Sequence, residues 1–140
     1  MAEHQANDCI FCKIINREAP AAIIHEDEQI IVFADAFPSS QGHSLVVTKA
    51  HGRDIHETSE EDLQAVAVMA KRISQAQKTA LSPDGIMIAQ FNGAAAGQTV
   101  FHYHTHVVPR WEGEKLTIHG RKQAAPEELE AMAAKLRAVL

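Results

Sequence analysis

The spacing of apolar residues predicts three helices. A short helix is predicted over residues 9–16, where apolar side chains recur at helical spacing behind Asp8, a candidate N-cap. Thr58 and Glu61 have the spacing of a capping box, and a long amphipathic helix follows them and ends at a Ser-Pro-Asp-Gly turn. Pro126 opens a final amphipathic helix. The stripe predicted for the inner face of the long helix consists of Leu63, Val66, Ala67, Ala70, Ile73 and Gln77.

Runs of β-branched and aromatic residues between these helices predict strands. The first two runs are separated by a polar Asp-Glu pair, which predicts a hairpin. The chain shows no internal repeat and no linker. The predicted strands cover residues 23–26, 29–34, 44–48, 86–91 and 100–108.

Composition and charge narrow the class of protein. The 140 residues suit one domain, and 46% hydrophobic with 22% charged residues argues against a disordered or fibrous chain. The net charge of -5 does not provide the basic surface that a nucleic-acid polymer requires, so DNA and RNA are not expected as partners. Apolar runs such as residues 30–34 are too short to cross a bilayer, and the opening residues lack the features of a secretory signal. We therefore expect a cytoplasmic protein with no membrane partner.

Histidine is the unusual component of this sequence. Of nine histidines, His102, His104 and His106 alternate along the last predicted strand and would point to one face, about 6.7 Å apart. Exposure of three imidazoles that have no function would explain this pattern poorly, because histidine has no special strand propensity. Two functional interpretations stay open. One is a zinc site, and the other is phosphate chemistry in which a neutral imidazole attacks phosphorus while its neighbours donate hydrogen bonds.

The loop before these histidines favours phosphate chemistry. Residues 93–99 are rich in Gly and Ala, and small residues such as Gly97 let backbone N–H groups turn inward around an anion. Gln98 and Thr99 add side-chain donors, and the Thr99 hydroxyl can assist proton transfer to a departing group. Because such connectors are common between strands, the loop gains weight only from its position before the histidines.

Cys9 and Cys12 form a C-x-x-C pair. In a reducing compartment this spacing indicates half of a zinc site or a redox centre. The strand that precedes a thioredoxin-like motif is missing from the sequence pattern, so zinc is favoured. A zinc ion then requires two further ligands.

Residues 97–110, GQTVFHYHTHVVPR, resemble the signature of the histidine triad (HIT) family, nucleotide hydrolases and transferases of the Hint and Fhit type. Residues 8–15 and 42–47 also resemble the opening and the second strand block of that family. The resemblance implies an α+β fold, with an antiparallel sheet of about five strands, one long central helix, a short N-terminal helix and a C-terminal helix.

The same resemblance implies one HIT domain over residues 1–140, with a core at about 8–113 and a C-terminal helical tail at about 126–140. Such domains are usually paired into a homodimer, so a second copy of the chain is an expected partner.

The resemblance also assigns roles to individual residues. His104 would be the nucleophile that forms a covalent nucleotidyl-imidazole intermediate, its other ring nitrogen oriented by a backbone carbonyl. His43 and His106 would contact the phosphate, and Asp35 would accept hydrogen bonds from the ribose hydroxyls. Four apolar residues, each equally suited to the core, would enclose the base: Ile10, Phe11, Ile14 and Phe33.

One position departs from the family pattern. Phe91 stands where the family usually has Asn or Gln, two residues before the first loop glycine. Asn92 either takes over the polar support that the usual Asn or Gln gives the ribose or a histidine, which makes it a candidate substrate-binding residue, or forms a turn with Gly93.

A zinc-bearing branch of the family supplies the two missing metal ligands from a histidine after the second strand block, here His51, and from the first triad histidine, here His102. With Cys9 and Cys12 they form a closed Cys₂His₂ set, which implies a structural zinc ion that is not needed for the chemical step. The remaining histidines are expected at the solvated surface: His4, His25, His56 and His119.

The activity implied is cleavage of the bond between a purine nucleoside 5'-phosphate and a leaving group. A nucleoside phosphoramidase is favoured, because apolar positions are found for one base only. A dinucleoside polyphosphate hydrolase, acting on diadenosine tetraphosphate for example, stays open, because Lys49, Arg53 and Arg110 could bind extra phosphates and residues 107–110 are closer to the Fhit branch. Two further classes are a catalytic zinc enzyme with an open site on the three histidines and a non-catalytic nucleotide-binding regulatory module.

Overall fold

The computed structural model describes residues 8–140, which form a β-sheet flanked by helices. Within that range no helix is long and apolar enough to cross a lipid bilayer. The predicted α+β class, with its long central helix and its shorter first and last helices, is confirmed. The elements are α1 (Ile10–Ile15), β1 (Ile23–Glu26), β2 (Ile30–Ala34), β3 (Ser44–Thr48), α2 (Glu60–Leu81), β4 (Gly85–Ala89), β5 (His104–Arg110) and α3 (Pro126–Ala138), with 3₁₀ turns at Ile55–Glu57 and Ala94–Ala96.

The five strands pair antiparallel in the order β1-β2-β3-β5-β4. β1 and β2 form the predicted hairpin. Between β3 and β5, Leu45 lies opposite His106 and Val47 lies opposite His104. Directly paired residues point to the same face of a sheet, so both histidines project from the face that carries Leu45 and Val47.

Different helices cover the two faces of the sheet. Val32 and Val46 pack with residues of α2 and α3 in the larger core. Their neighbours Ile31 and Val47 pack with Phe11 of α1 in a smaller cluster on the opposite face. Strands buried on both faces are continuous apolar runs, as β2 and β3 are. The register of β5 therefore places His104 and His106 on the α1 face.

The start of β5 differs from the prediction. A strand is predicted over residues 100–108, but β5 begins only at His104. The Tyr103 N–H donates to the Gly52 carbonyl at 2.8 Å, and the His102 carbonyl accepts from the side chain of His104 at 2.6 Å. These backbone groups are unavailable to the sheet ladder. His102 thus precedes the strand, and the prediction that three imidazoles alternate on one strand face is wrong.

The helix caps also differ in detail. Cys9, rather than Asp8, caps α1, because its Sγ accepts the Cys12 N–H. Ser59, rather than Thr58, caps α2, and its hydroxyl oxygen accepts the N–H three residues later at 3.1 Å. Both helices keep their predicted places, since a cap shifted by one residue does not move the helix. The stripe predicted for α2 is wrong at Ala67, which is exposed, while Met69 and Ala76 are buried in addition.

Gln77 is the polar member of the α2 stripe and is fully buried. Its Nε2 donates to the carbonyl oxygens of Gly42 at 3.0 Å and Val107 at 2.9 Å. Gly42 precedes His43 and Val107 follows His106, so α2 holds the backbone beside two of the candidate site residues.

Candidate active site and metal centre

His104 lies in a cavity on the α1 face of the sheet. Its Nδ1 is 2.6 Å from the His102 carbonyl oxygen, so Nδ1 carries a proton and donates, and Nε2 keeps its lone pair. Edge-to-face contact with Phe11, at 5.0 Å between ring centroids, packs the imidazole in place. Burial lowers the pKa of His104 below its ordinary value. The arrangement therefore presents a neutral, oriented imidazole, which is the reactive form of a histidine nucleophile.

His43 and His106 form a hydrogen-bonded pair beside it. The Ser39 N–H donates to His43 Nδ1 at 3.0 Å, so the proton of neutral His43 is on Nε2. His43 Nε2 donates to His106 Nδ1 at 2.9 Å, which places the His106 proton on its Nε2. In the part of the chain that the structure describes, this buried Nε2 has no hydrogen-bond partner. This chain of hydrogen bonds thus ends at the N–H of His106 Nε2, which can donate to an oxygen atom of a bound substrate.

Burial keeps both imidazoles of this pair neutral. Withdrawal from water, together with the smaller effect of charge on neighbouring groups, lowers the pKa of His43 and of His106 to about 3. At neutral pH both histidines are therefore neutral, and the hydrogen bond from Ser39 fixes the proton of each ring on Nε2.

We expect these two histidines to make folding stability fall as the pH drops below 6.5. An unfolded chain protonates them near pH 6.5 and the folded protein only near pH 3, so between those values the unfolded state holds more protons. Each histidine then removes about 1.4 kcal/mol of stability per pH unit. Urea denaturation at several pH values from 6.5 to 5 measures this slope. His43→Gln should lose one histidine's share, and a variant slope equal to the wild-type slope would contradict the assignment.

Asp35 follows β2 at the edge of the cavity. Its Oδ1 accepts the Phe37 N–H at 2.8 Å, and its Oδ2 lies 3.3 Å from His43 Nε2. Burial raises the pKa of Asp35, although the hydrogen bond from Phe37 opposes the shift. Asp35, His43 and His106 also bring three metal-ligand atoms together. However, His43 Nε2 and His106 Nδ1 are 2.9 Å apart, which is the distance of a direct hydrogen bond between them.

The cavity has a volume of about 490 Å³, which suits a small-molecule ligand. Phe11, Ile14 and Phe33 are buried in the smaller core cluster and also line the cavity. These three residues are therefore both part of the core and part of the cavity wall. Ile10 is 46% exposed and also lines the cavity. The predicted site residues in the cavity lining are Ile10, Phe11, Ile14, Phe33, Asp35, Thr99, His104 and His106.

The loop of residues 93–99 is braced by its own glutamine. Gly97 has φ of 105°, a conformation that favours glycine. Gln98 is buried, its Oε1 accepts the Gly93 N–H at 2.7 Å, and its Nε2 donates to two backbone carbonyls. Its amide is thus committed to the protein and is not the free donor that the sequence suggested. Thr99 is exposed and lines the cavity.

Asn92 does not line the cavity. Its Oδ1 accepts the Ile55 N–H and Gln90 Nε2, each at 2.8 Å. The expectation that Asn92 contacts the substrate is therefore wrong. Asn92 instead binds the backbone at the start of the 3₁₀ turn Ile55–Glu57. The ring of Phe91 instead packs 5.5 Å from the ring of His106, between centroids. An apolar support has replaced the polar residue that the family usually has.

Cys9, Cys12, His51 and His102 meet beside α1, and their ligand atoms all lie within 4.8 Å of one another. His102 Nδ1 is 3.4 Å from Cys9 Sγ and 3.1 Å from His51 Nδ1. Cys12 Sγ is 3.4 Å from His51 Nδ1. Tetrahedral zinc, with bonds of about 2.05 Å to nitrogen and 2.3 Å to sulfur, separates such atoms by roughly 3.3 to 3.8 Å. The donor set and its spacing are therefore compatible with zinc.

A second contact orients His102 for this role. Its Nε2 lies 2.6 Å from the Thr48 carbonyl oxygen and donates to it, so Nδ1 carries the lone pair that a metal requires. When bound, a zinc ion would supply a cross-link between α1, the chain after β3 and the chain before β5. The His102 carbonyl also orients His104, so the two sites share a residue and remain separate in their ligand atoms.

His119 is a polar residue of the cavity lining that the sequence does not predict. His56 is exposed, and His25 is partly buried and contacts Asp27 at 2.8 Å. His119, by contrast, lines the cavity, with its ring centroid 5.6 Å from that of His106. It stands in a polar segment with no motif, so the sequence carries no signal for this contact. His4 lies outside the described residues.

Comparison with known proteins agrees with this geometry. Residues 16–113 match the model of the HIT domain family, and the chain belongs to that family.

Similar structures and sequences come from several organisms. A Hit-like protein involved in cell-cycle regulation from Bartonella henselae, solved with an unknown ligand, has a TM-score of 0.91 at 39% identity, covering 98% of this chain and 99% of that one. A Zn-bound histidine triad family protein from Mycobacterium smegmatis has a TM-score of 0.83 at 39% identity, covering 94% and 92%. Adenylylsulfatase HINT3 of Arabidopsis thaliana is 38% identical over 122 residues, which are 83% of this chain and 62% of that protein.

Proposed function

We propose that this protein is a nucleotide hydrolase that works through a covalent nucleotidyl intermediate on His104. The observation that carries the proposal is the pair of complementary groups in one cavity, the lone pair on His104 Nε2 and the unpartnered N–H of His106. The first suits attack on phosphorus and the second suits an oxygen that gains charge during attack. Similarity to a plant protein named an adenylylsulfatase supports an adenylyl substrate.

The reaction has two steps. His104 Nε2 attacks the α-phosphorus, the bond to the leaving group breaks, and that group departs with the electron pair. His106 donates to a phosphate oxygen, and we assign to the exposed Thr99 hydroxyl the relay of a proton from solvent to a departing amine. Water then attacks phosphorus and loses a proton to solvent, the bond between phosphorus and His104 Nε2 breaks, and neutral His104 and a nucleoside 5'-monophosphate are released.

The other predicted residues hold the nucleotide. The apolar wall around Phe11 and Phe33 encloses a purine base, and the Asp35 carboxylate accepts hydrogen bonds from the ribose. The loop that contains Gly97 brings Thr99 to the phosphate, whereas the N–H groups of residues 96–98 donate to carbonyl oxygens within the loop and are not available to the substrate. In this proposal Gln98 positions the loop through its own hydrogen bonds and does not touch the substrate.

Two competing functions fit the geometry less well. A catalytic zinc on all three triad histidines would need His102 Nδ1 in the cavity, but that atom lies among the two cysteines and His51. A non-catalytic nucleotide-binding module would not require the neutral nucleophile that the His102 carbonyl maintains. Turnover separates this module from an enzyme.

We expect adenosine 5'-phosphoramidate to be a better substrate than diadenosine tri- or tetraphosphate. The described cavity offers one apolar wall for a base, whereas a dinucleotide gains from a second. The basic residues considered for extra phosphates are partly committed, because Lys49 pairs with Glu26 at 2.8 Å and Arg53 lies over the Phe101 ring. Comparing kcat/KM for the three compounds measures the preference. A higher value for either dinucleotide would overturn this substrate assignment and leave the histidine chemistry intact.

The protein is further proposed to act as a cytoplasmic homodimer with a structural zinc ion in each chain. An edge of the sheet supports a second copy as partner, because Ile88 on the edge strand β4 is 52% exposed. The acidic net charge gives no reason to include a nucleic-acid polymer.

A further inference from the structure

The segment between β5 and α3, residues 111–125, folds back beside the active-site cavity. The Gly120 N–H donates to the Phe37 carbonyl at 3.0 Å, and the Ala124 N–H donates to the Ala36 carbonyl at 2.9 Å. A Cβ at position 120 would lie 2.1 Å from a backbone oxygen of the loop after β2. Only glycine permits this approach, so the segment is docked on the loop that carries Asp35.

This docking places His119 against the catalytic histidines. Its ring centroid is 5.6 Å from that of His106 and 6.4 Å from that of Phe91. His119 Nε2 lies 3.3 Å from the Gly97 carbonyl oxygen, which is long for an N–H···O hydrogen bond. His43, His104 and His106 are buried, whereas His119 is exposed at the mouth of the cavity. Its imidazole is therefore free to exchange that weak contact for a better acceptor.

We propose that His119 binds the leaving-group side of the substrate, through an anionic oxygen carried beyond the α-phosphate. The inference rests on the proposed function. If His104 attacks phosphorus and His106 holds a phosphate oxygen, a group that extends from phosphorus towards solvent meets His119 next. An imidazole N–H is a strong donor to a β-phosphoryl oxygen or to the carboxylate of an amino-acid leaving group. His119, which lies outside the signature of residues 97–110, would then contribute to the choice of leaving group.

Equilibrium binding of two unreactive ligands tests this role. AMP ends at the α-phosphate, and adenosine 5'-(α,β-methylene)diphosphate adds one phosphoryl group that the enzyme cannot remove. Calorimetry with wild type and His119→Ala should show affinity for the diphosphate falling about tenfold and affinity for AMP changing less than twofold, as expected for one hydrogen bond to a charged group. His119→Gln, which keeps an N–H donor, should recover part of the loss.

His56→Ala is the matched control, because His56 is exposed on a 3₁₀ turn and does not line the cavity. It should bind both ligands as the wild type does. Equal losses for AMP and the diphosphate in His119→Ala would indicate a structural role for the segment and overturn the inference. A wild type that binds the diphosphate no better than AMP, or a His119→Ala variant that keeps the wild-type ratio, would also overturn it. Failure of the proposed function shows elsewhere, as a wild type that forms no adduct on His104.

Discussion

His104→Ala should abolish turnover while leaving nucleotide binding almost intact. We expect kcat for adenosine 5'-phosphoramidate to fall by about 10⁴-fold or more, because the variant lacks the atom that forms the covalent bond. The contacts proposed for base, ribose and phosphate lie on other residues, so the Kd for AMP should change only a few-fold. Steady-state kinetics and calorimetry on one preparation measure both quantities.

His56→Ala controls for loss of an imidazole far from the cavity and should keep wild-type turnover. His104→Gln adds a second check, because it retains a polar side chain of similar length but has no nucleophilic nitrogen. Turnover within tenfold of wild type in either His104 variant would contradict covalent catalysis at this position.

Cys9→Ser should remove zinc and strongly destabilise the fold. The purified wild type should carry about one zinc ion per chain, and the variant should carry little, because a closed Cys₂His₂ site loses one of four ligands. Without the cross-link, α1 keeps its small apolar cluster against the sheet but loses the metal, and we expect the Tm to fall by about 10 °C or more. Elemental analysis and thermal unfolding measure the two effects.

The same variant separates structure from chemistry. Below its Tm, Cys9→Ser should retain single-turnover activity far above that of His104→Ala, since the nucleophile is a separate residue. His25→Ala, a partly buried histidine outside the cluster, should keep both its zinc and its Tm. A wild type prepared without chelators that contains no zinc would contradict the metal assignment.

Elements with strong local periodicity are predictable from this sequence. The strand over residues 44–48 has the expected bounds and the last helix begins at Pro126 as expected, because each pattern alone selects a buried face. The start of β5 is not predictable in this way, since it depends on a hydrogen bond between Tyr103 and Gly52. That bond spans a long stretch of sequence, and strand propensity at residues 100–103 does not report it.

In the candidate site, too, residue identities are predictable from the sequence and contacts between distant residues are not. Residue types and spacing suffice to nominate His104 and the metal cluster, because the chemistry requires particular atoms. Their tautomers depend on contacts such as the Ser39 N–H on His43, which only the folded chain brings together. His119 reaches the cavity through the docking of Gly120 against the loop after β2, so nothing in its own sequence neighbourhood distinguishes it.

Mass spectrometry of the enzyme caught during turnover tests covalent catalysis most directly. Wild type mixed with adenosine 5'-phosphoramidate and quenched under denaturing, non-acidic conditions should carry one adenylyl group, and peptide mapping should place it on His104. The adduct should form and decay at rates that account for turnover, and His104→Ala should show none. Turnover without any adduct, or an adduct that maps to His43, His106 or His119, would contradict the account.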